Sequence, residues 1–266
     1  MIQLTPKPEA RPTLVILNGL SRTTQHWFGF DSLLEPYFRV VAIDLPGAGD
    51  ATEECHWSMR IEDMAAHVME KLDALAIQKA HVLGVSLGGM VAMGCGLAFP
   101  ERCQSLTLVN SSIGSGLSLG RLSHRASLWL LKAIITRPGP ERLNRQMAAL
   151  TMGCDCSPFL IESVIQKSIA LQQKPNPARV LMQLLAALRF RPGRRLAELK
   201  MPTLVVHGGA DRFVPPHNSQ RIAQHIPHAQ LVSVENGGHD LMYDKAESLL
   251  QLLKEWTKPR KDATYG

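Results

Sequence analysis

The hydrophobic positions of the chain fall into six short, continuous runs separated by polar turns. The runs span 13–18, 39–44, 81–84, 105–110, 203–208 and 230–235. Because they are rich in β-branched residues and lack a polar alternation, they predict strands that are buried on both faces. Helical periodicity lies between them, at 58–76, 87–98, 217–226 and 244–257. This alternation predicts an α/β fold with a mostly parallel sheet flanked by helices.

Residues 112–200 break the alternation, with several helix-like segments, repeated prolines and no convincing strand. We therefore assign residues 1–111 and 201–266 to the α/β core and residues 112–200 to an inserted helical lid. Open α/β sheets bind ligands at the carboxyl edge of their strands, so the lid is expected to cover that edge. It would line the substrate site with residues that the sequence does not identify.

The stretch GVSLGG, residues 84–89, ends the third predicted strand and opens a helix. A serine on such a sharp turn projects its hydroxyl above the sheet, and small residues two positions away on either side prevent clashes. Gly84 and Gly88 occupy those positions. Ser86 is therefore the candidate nucleophile, and the alternative is a glycine-rich turn that only packs a helix on the sheet.

A serine hydroxyl needs a general base, and the base needs an acid that orients it. Asp211 follows the fifth predicted strand and His239 lies in a glycine-rich loop after the sixth. The chain order Ser86, Asp211, His239 is the order expected for this architecture. Other candidates are expected to be solvated or structural, or are badly placed to orient His239: His207, His217, His225, His228 and Asp240.

An oxyanion that forms on a substrate carbonyl requires two N–H donors. The residue after the nucleophile, Leu87, provides one at the start of a helix. The second is expected from the loop after the first strand, where the sequence NGLSRTTQHW assigns the main-chain N–H of Leu20.

Five segments in this order, NGLSRTTQHW, IDLPGAGD, GVSLGGMVA, HGGADRFVPP and NGGHD, resemble the α/β-hydrolase superfamily, and in particular its small, lidded serine carboxylesterases. Two positions depart from that pattern: Asn18-Gly19 stands where His-Gly is usual, and 50–52 lack the usual serine. The resemblance implies an enzyme that cleaves carboxylic esters of small to medium acyl substrates through an acyl-enzyme intermediate. It implies no cofactor. Relatives with an aspartate nucleophile, the epoxide hydrolases and haloalkane dehalogenases, are disfavoured by Ser86.

Three alternatives remain open at this point. One is a thioesterase or a hydrolase of acyl-carrier-protein esters, and another is a lyase or carbon–carbon hydrolase that uses the same triad. The third is a non-catalytic ligand receptor, because the fold also serves that purpose.

The remaining composition narrows the class of protein. Five scattered cysteines without a CxxC pair indicate reduced thiols and a cytoplasmic location, and no signal peptide or membrane-spanning run is visible. Cys154 and Cys156 have no partner pair at metal-binding spacing, so no metal site is expected.

Positive charge is concentrated in the predicted lid. Residues 112–200 hold fourteen Lys or Arg against four acidic residues, whereas the whole chain has a net charge of +6. Arginines at 121, 125, 137, 142 and 145 lie in its first half. Without an accompanying nucleic-acid motif, a nucleic-acid partner is not expected. A small-molecule ester is the expected substrate, and the charge adds an acidic carrier protein or a coenzyme A ester as possible partners.

Overall fold

The computed structural model describes residues 11–114, 120–171 and 176–258. All six predicted strands are present within them, each end within two residues of its prediction. They are β1 (Thr13–Leu17), β2 (Arg39–Ile43), β3 (Ala80–Val85), β4 (Cys103–Val109), β5 (Thr203–Gly208) and β6 (Gln230–Val234).

The strands form one sheet in the order β2-β1-β3-β4-β5-β6, and every neighbouring pair is parallel. The central strands are buried on both faces, as their unbroken apolar runs predict; Val15, Ile16 and Leu17 are each 0% exposed. After β2 the chain crosses back over β1 to build the rest of the sheet from β3. The carboxyl ends of β1 and β3 therefore border the crevice in which such sheets bind ligands.

Helices of the core cover both faces of this sheet. They are α1 (Phe30–Leu34), α2 (Ile61–Ala74), α3 (Leu87–Ala98), α8 (His217–His225), α9 (Leu241–Asp244) and α10 (Ala246–Trp256). The four predicted core helices are present, although the run from 58 becomes helical only at Ile61. There the Asp63 carboxylate accepts the N–H of Arg60 at 2.7 Å and fixes the start of the helix. Helix α1 was not predicted, because five residues are too few to show a helical period.

Four helices lie between β4 and β5: α4 (His124–Thr136), α5 (Pro140–Thr151), α6 (Pro158–Ala170) and α7 (Pro177–Arg189). The described part of this helical insertion contains no strand, in agreement with the sequence. Its prolines mark helix starts, since α5, α6 and α7 each begin with one, a position where the missing N–H costs nothing. No helix in the described ranges is both long and apolar enough to cross a membrane.

One arginine of the insertion, which the sequence predicts to belong to a charged surface, is buried instead. Arg121 is only 6% exposed, and its guanidinium donates to the carbonyls of Ala187 and Phe190 at the end of α7. Burial lowers its pKa to about 10, and the nearby Arg191 and Arg221 add to that effect. Arg121 thus holds the insertion together, while Arg125, Arg137 and Arg142 are exposed.

Candidate active site

Ser86 lies on the turn between β3 and α3, with φ 55° and ψ −113°. A non-glycine residue in this region is strained, and such strain is typical of functional turns. The turn is held by the main-chain bond from Ser86 N–H to the carbonyl of Val109, 2.9 Å, and by the Ser111 hydroxyl, which donates to the Ser86 carbonyl at 2.8 Å. The hydroxyl of Ser86 is thereby kept at the carboxyl edge of the sheet.

The two glycines around Ser86 are required by packing. A Cβ on Gly84 would lie 2.2 Å from the carbonyl oxygen of Gly88, and one on Gly88 would lie 2.3 Å from that of Leu17. Both contacts are with backbone, which cannot move aside. The two glycines of the GxSxG motif are therefore needed because α3 packs so closely on β1 and β3.

His239 and Asp211 come together from the loops after β6 and β5. The His239 Nδ1 lies 2.7 Å from the Asp211 Oδ2, and both residues are buried, at 5% and 6% exposure. The other oxygen of Asp211 accepts the N–H groups of Phe213 and Val214 at 2.7 and 2.8 Å. These bonds fix the carboxylate, which in turn orients the imidazole; no bond to its Nε2 is seen among the described residues.

The surroundings of His239 make its imidazole more basic. Burial by itself would lower its pKa, but the charge of Asp211 and the hydrogen bond to it outweigh burial and raise the pKa above its usual value. The Phe213 ring also covers the imidazole, with ring centroids 5.0 Å apart. A raised pKa means that the imidazole accepts a proton readily.

Ser86, His239 and Leu20 line one cavity of about 520 Å³. The insertion supplies much of the cavity wall. The side chains that it contributes are mainly apolar and include Trp129, Leu130, Ile134, Leu143, Met147 and Val180. Sequence reasoning did not identify them, because helical periodicity shows which residues are apolar but not whether they face a cavity. Leu87, the other predicted donor, is the first residue of α3 and is buried beside Ser86.

The loop after β1 has a defined hydrogen-bond pattern. Gly19 N–H donates to the Asn18 Oδ1 at 2.9 Å, and the Asn18 Nδ2 donates to the carbonyl of Thr23 at 3.2 Å. Asn18, which departs from the usual histidine, therefore braces this loop itself. Arg22 N–H donates to the carbonyl of Gly19 at 3.2 Å and closes a turn around Leu20.

An ion pair at the cavity was missed by sequence reasoning. Arg22 donates to the Asp240 carboxylate at 3.1 Å and to the Tyr243 hydroxyl at 3.2 Å. Both Arg22 and Asp240 line the cavity, yet their charges cancel locally. Asp240 thus pairs with Arg22, whereas Asp211 is the carboxylate that bonds His239. Arg22 stands within the NGLSRTTQHW segment, but nothing in the sequence pairs it with a residue so far along the chain.

The remaining histidine candidates do not line the cavity. His217, His225 and His228 each bond a main-chain carbonyl, of Gly120, Arg221 and Met201. Another histidine, His26, does line it; burial lowers its pKa to about 3, with Arg22 adding to the effect, so it is neutral. Over the described ranges, no three His, Cys, Asp or Glu side chains are grouped in a way that would hold a metal ion.

A sequence model of the Alpha/beta hydrolase family matches residues 14–252. The match spans most of the chain. The parallel sheet of six strands flanked by helices agrees with it. The chain therefore belongs to the alpha/beta hydrolase family.

Individual relatives give a finer comparison. A 2-hydroxy-6-oxononadienedioate/2-hydroxy-6-oxononatrienedioate hydrolase of Klebsiella pneumoniae is 30% identical over 253 residues, which is 92% of this chain and 86% of that protein. A hydrolase from Pseudomonas aeruginosa has a similar structure, with a TM-score of 0.78, 24% identity and coverage of 94% and 91% of the two chains. A thermophilic esterase from Thermogutta terrifontis superposes with a TM-score of 0.75 at 23% identity, covering 93% and 89%.

Proposed function

We propose that this protein is a serine hydrolase that cleaves carboxylic esters with small to medium, largely apolar acyl groups. The observation that carries the proposal is one cavity in which a strained serine, Ser86, faces the same space as His239, whose Nδ1 is bonded to a buried Asp211. This arrangement matches the requirements of acyl transfer through a covalent intermediate.

In the first half-reaction the Ser86 Oγ attacks the ester carbonyl carbon while the His239 Nε2 takes the hydroxyl proton. The tetrahedral intermediate then collapses, the bond to the alkoxy oxygen breaks, and the imidazolium returns the proton to the departing alcohol. In the second half-reaction His239 takes a proton from a water molecule whose oxygen attacks the acyl carbon. The bond from that carbon to the Ser86 Oγ then breaks, the imidazolium returns the proton to the Oγ, and the acid is released. Asp211 stays ionised and stabilises the imidazolium in both halves.

Two main-chain donors would stabilise the oxyanion. In the loop after β1, the N–H groups of Gly19, Ser21 and Arg22 all have partners within the protein. No bond to the N–H of Leu20 is seen among the described residues, and Leu20 lines the cavity. Leu87 contributes the second donor from the first turn of α3, where the helix dipole adds positive potential.

The charge of the cavity favours neutral or weakly charged substrates. Its wall is mainly apolar, and the positive charge of Arg22 is offset by Asp240. Arg137, the other arginine in the lining, sits exposed at the end of α4. A hydrophobic acyl group therefore gains from burial there, whereas a buried dianion would find few free cations.

A carbon–carbon hydrolase is the second candidate, and the relative from Klebsiella pneumoniae favours it. The name of that relative specifies a dioate, a substrate with two carboxylates. The two carboxylates would have to share the exposed Arg137 unless Arg22 left Asp240, which costs the energy of a partly buried ion pair. We therefore rank the ester above the dicarboxylate.

The test compares the two substrate classes on one enzyme. Purified protein is assayed on p-nitrophenyl esters of increasing acyl length and on 2-hydroxy-6-oxononadienedioate, with Ser86→Ala as control. We expect saturable ester hydrolysis that is lost on the order of a millionfold in kcat in the variant. Hydrolysis of the dienedioate with a much higher kcat/KM than any ester would favour the second candidate. Ester turnover that survives Ser86→Ala would overturn both.

A further inference from the structure

Gln183 is a buried polar residue of the insertion that bonds two loops of the core. It lies on α7 and is 1% exposed. Its Oε1 accepts the N–H of Ser21 at 2.8 Å, and its Nε2 donates to the carbonyl of Pro46 at 2.8 Å. One amide thus ties α7 to the loops after β1 and β2.

The bond to Ser21 supports a strained residue beside the predicted oxyanion donor. Ser21 has φ 60°, in the left-handed region that side chains other than glycine rarely adopt. It stands at the centre of the turn that the Arg22 N–H closes on the carbonyl of Gly19. In a trans peptide the N–H points away from the C=O, so the direction of that Gly19 carbonyl fixes the direction of the Leu20 N–H.

We propose that Gln183 is a positioning residue for the oxyanion hole. By holding Ser21 in its left-handed conformation it keeps the Leu20 N–H directed at the substrate carbonyl. The hole is then complete only when α7 is packed on the core. The inference rests on the proposed function, because it assigns a role in stabilising the oxyanion of that reaction.

A second bond between α7 and the core provides a matched control. Arg179, one helical turn before Gln183, pairs with Glu53 at 2.7 Å. This pair also joins α7 to the core, but its core partner lies in the segment after β2 and not in the loop at 19–22. Arg179→Met therefore removes a bond between insertion and core while leaving the bond to Ser21 intact.

The experiment measures kcat and KM for p-nitrophenyl butyrate in Gln183→Met and Arg179→Met. Methionine matches the length of glutamine but neither accepts from Ser21 nor donates to Pro46. We expect Gln183→Met to lower kcat by about tenfold to a hundredfold, somewhat less than the loss of a whole oxyanion donor, with KM changed less than about twofold. Affinity for a trifluoromethyl ketone, which forms an oxyanion on Ser86, should fall in parallel. Arg179→Met should keep kcat within about twofold.

The variant Gln183→Glu adds a pH dependence of kcat that a mere loss of packing would not produce. In Gln183→Glu the ionised carboxylate still accepts from Ser21 but opposes the Pro46 carbonyl, whereas the protonated form donates to it. Burial raises the pKa of such a carboxyl. The kcat of this variant relative to wild type should therefore rise as the pH is lowered, while the ratio for Gln183→Met stays flat.

The outcomes separate this inference from the proposed function. A folded Gln183→Met with wild-type kcat, an increase in KM alone, or an equal loss of kcat in Arg179→Met would overturn the positioning role. The rate at which a fluorophosphonate labels Ser86 depends on the same oxyanion donors and can be measured without any ester substrate. If wild type labels rapidly but hydrolyses no ester, the ester proposal fails, and a slower labelling of Gln183→Met would still support the role of Gln183.

Discussion

The main-chain N–H of His239 donates to the carbonyl oxygen of Thr151, 2.6 Å away, and the N–H of Asp240 donates to the same oxygen at 3.1 Å. Thr151 is the last residue of α5, so the insertion directly holds the loop that carries the candidate base. The Asp244 carboxylate continues this link by accepting the N–H groups of Gly153 and Gly238, each at 2.7 Å. The helical insertion thus bonds to the candidate site on the His239 side as well as at Gln183.

Gly153→Ala should disturb this contact. A Cβ at Gly153 would lie 2.3 Å from the carbonyl oxygen of Asn236 and 2.7 Å from the Asp244 Oδ2. We expect a loss of about 1–3 kcal/mol of stability and a lower kcat, measured by thermal unfolding and ester hydrolysis. Gly120→Ala, also in the insertion but outside the cavity lining, would have His217 Nε2 as its nearest atom at 3.6 Å, an ordinary contact, and serves as control. Equal behaviour of the two variants would contradict the link.

Asp211→Asn should reduce activity and shift its pH dependence. The asparagine cannot stabilise the imidazolium, so kcat should fall by about ten-thousandfold. Because the carboxylate raises the pKa of His239, its removal should move the acid limb of kcat/KM to lower pH. A pH–rate profile of wild type and variant tests both effects. An unchanged acid limb would mean that another group sets the ionisation of the base.

Asp244 should make stability depend on pH in an unusual direction. Burial raises its pKa to about 6, against about 3.9 in an unfolded chain. The folded protein therefore holds this proton more tightly, and the stabilisation from protonation is lost as the pH rises from about 4 to about 6. Asp244→Asn keeps an acceptor for the two glycine N–H groups but has no charge. The difference in melting temperature between variant and wild type should therefore grow over that pH range; a constant difference would refute the assignment.

The positive charge of the insertion should act on anionic substrates through Arg137, which lines the cavity. Raising ionic strength from 0.01 to 0.15 M shortens the Debye length from about 30 to about 8 Å. If coenzyme A esters are substrates, their kcat/KM should fall by about tenfold or more over that range, while a neutral p-nitrophenyl ester barely responds.

Arg137→Glu should weaken this salt response and leave the neutral ester unaffected. Lys200→Glu, the same charge change before the amino end of β5, is the control. Equal salt effects on both substrates would show that the charge is only a solvated surface.

The strands and the candidate site residues of this protein can be predicted from short segments of its sequence. Each buried strand of a parallel sheet is a continuous apolar run, and the strand ends locate the candidates Ser86, Asp211 and His239 because ligand-binding loops follow the carboxyl ends of such strands. Gly84 can be predicted for the same reason, since its constraint is the Gly88 carbonyl in the same turn, whereas the constraint on Gly88 comes from the carbonyl of Leu17 at the end of β1.

Only the tertiary structure decided how polar side chains from distant segments are paired. Gln183 and Ser21 are 162 positions apart, and Arg22 and Asp240 are 218 apart. Periodicity reports whether a residue faces the core, but the partner of a buried amide or charge depends on how loops and the helical insertion meet in space. For the same reason Arg121 resembles a surface arginine in the sequence but is buried in the fold, where the carbonyls of Ala187 and Phe190 accept hydrogen bonds from its two terminal nitrogens.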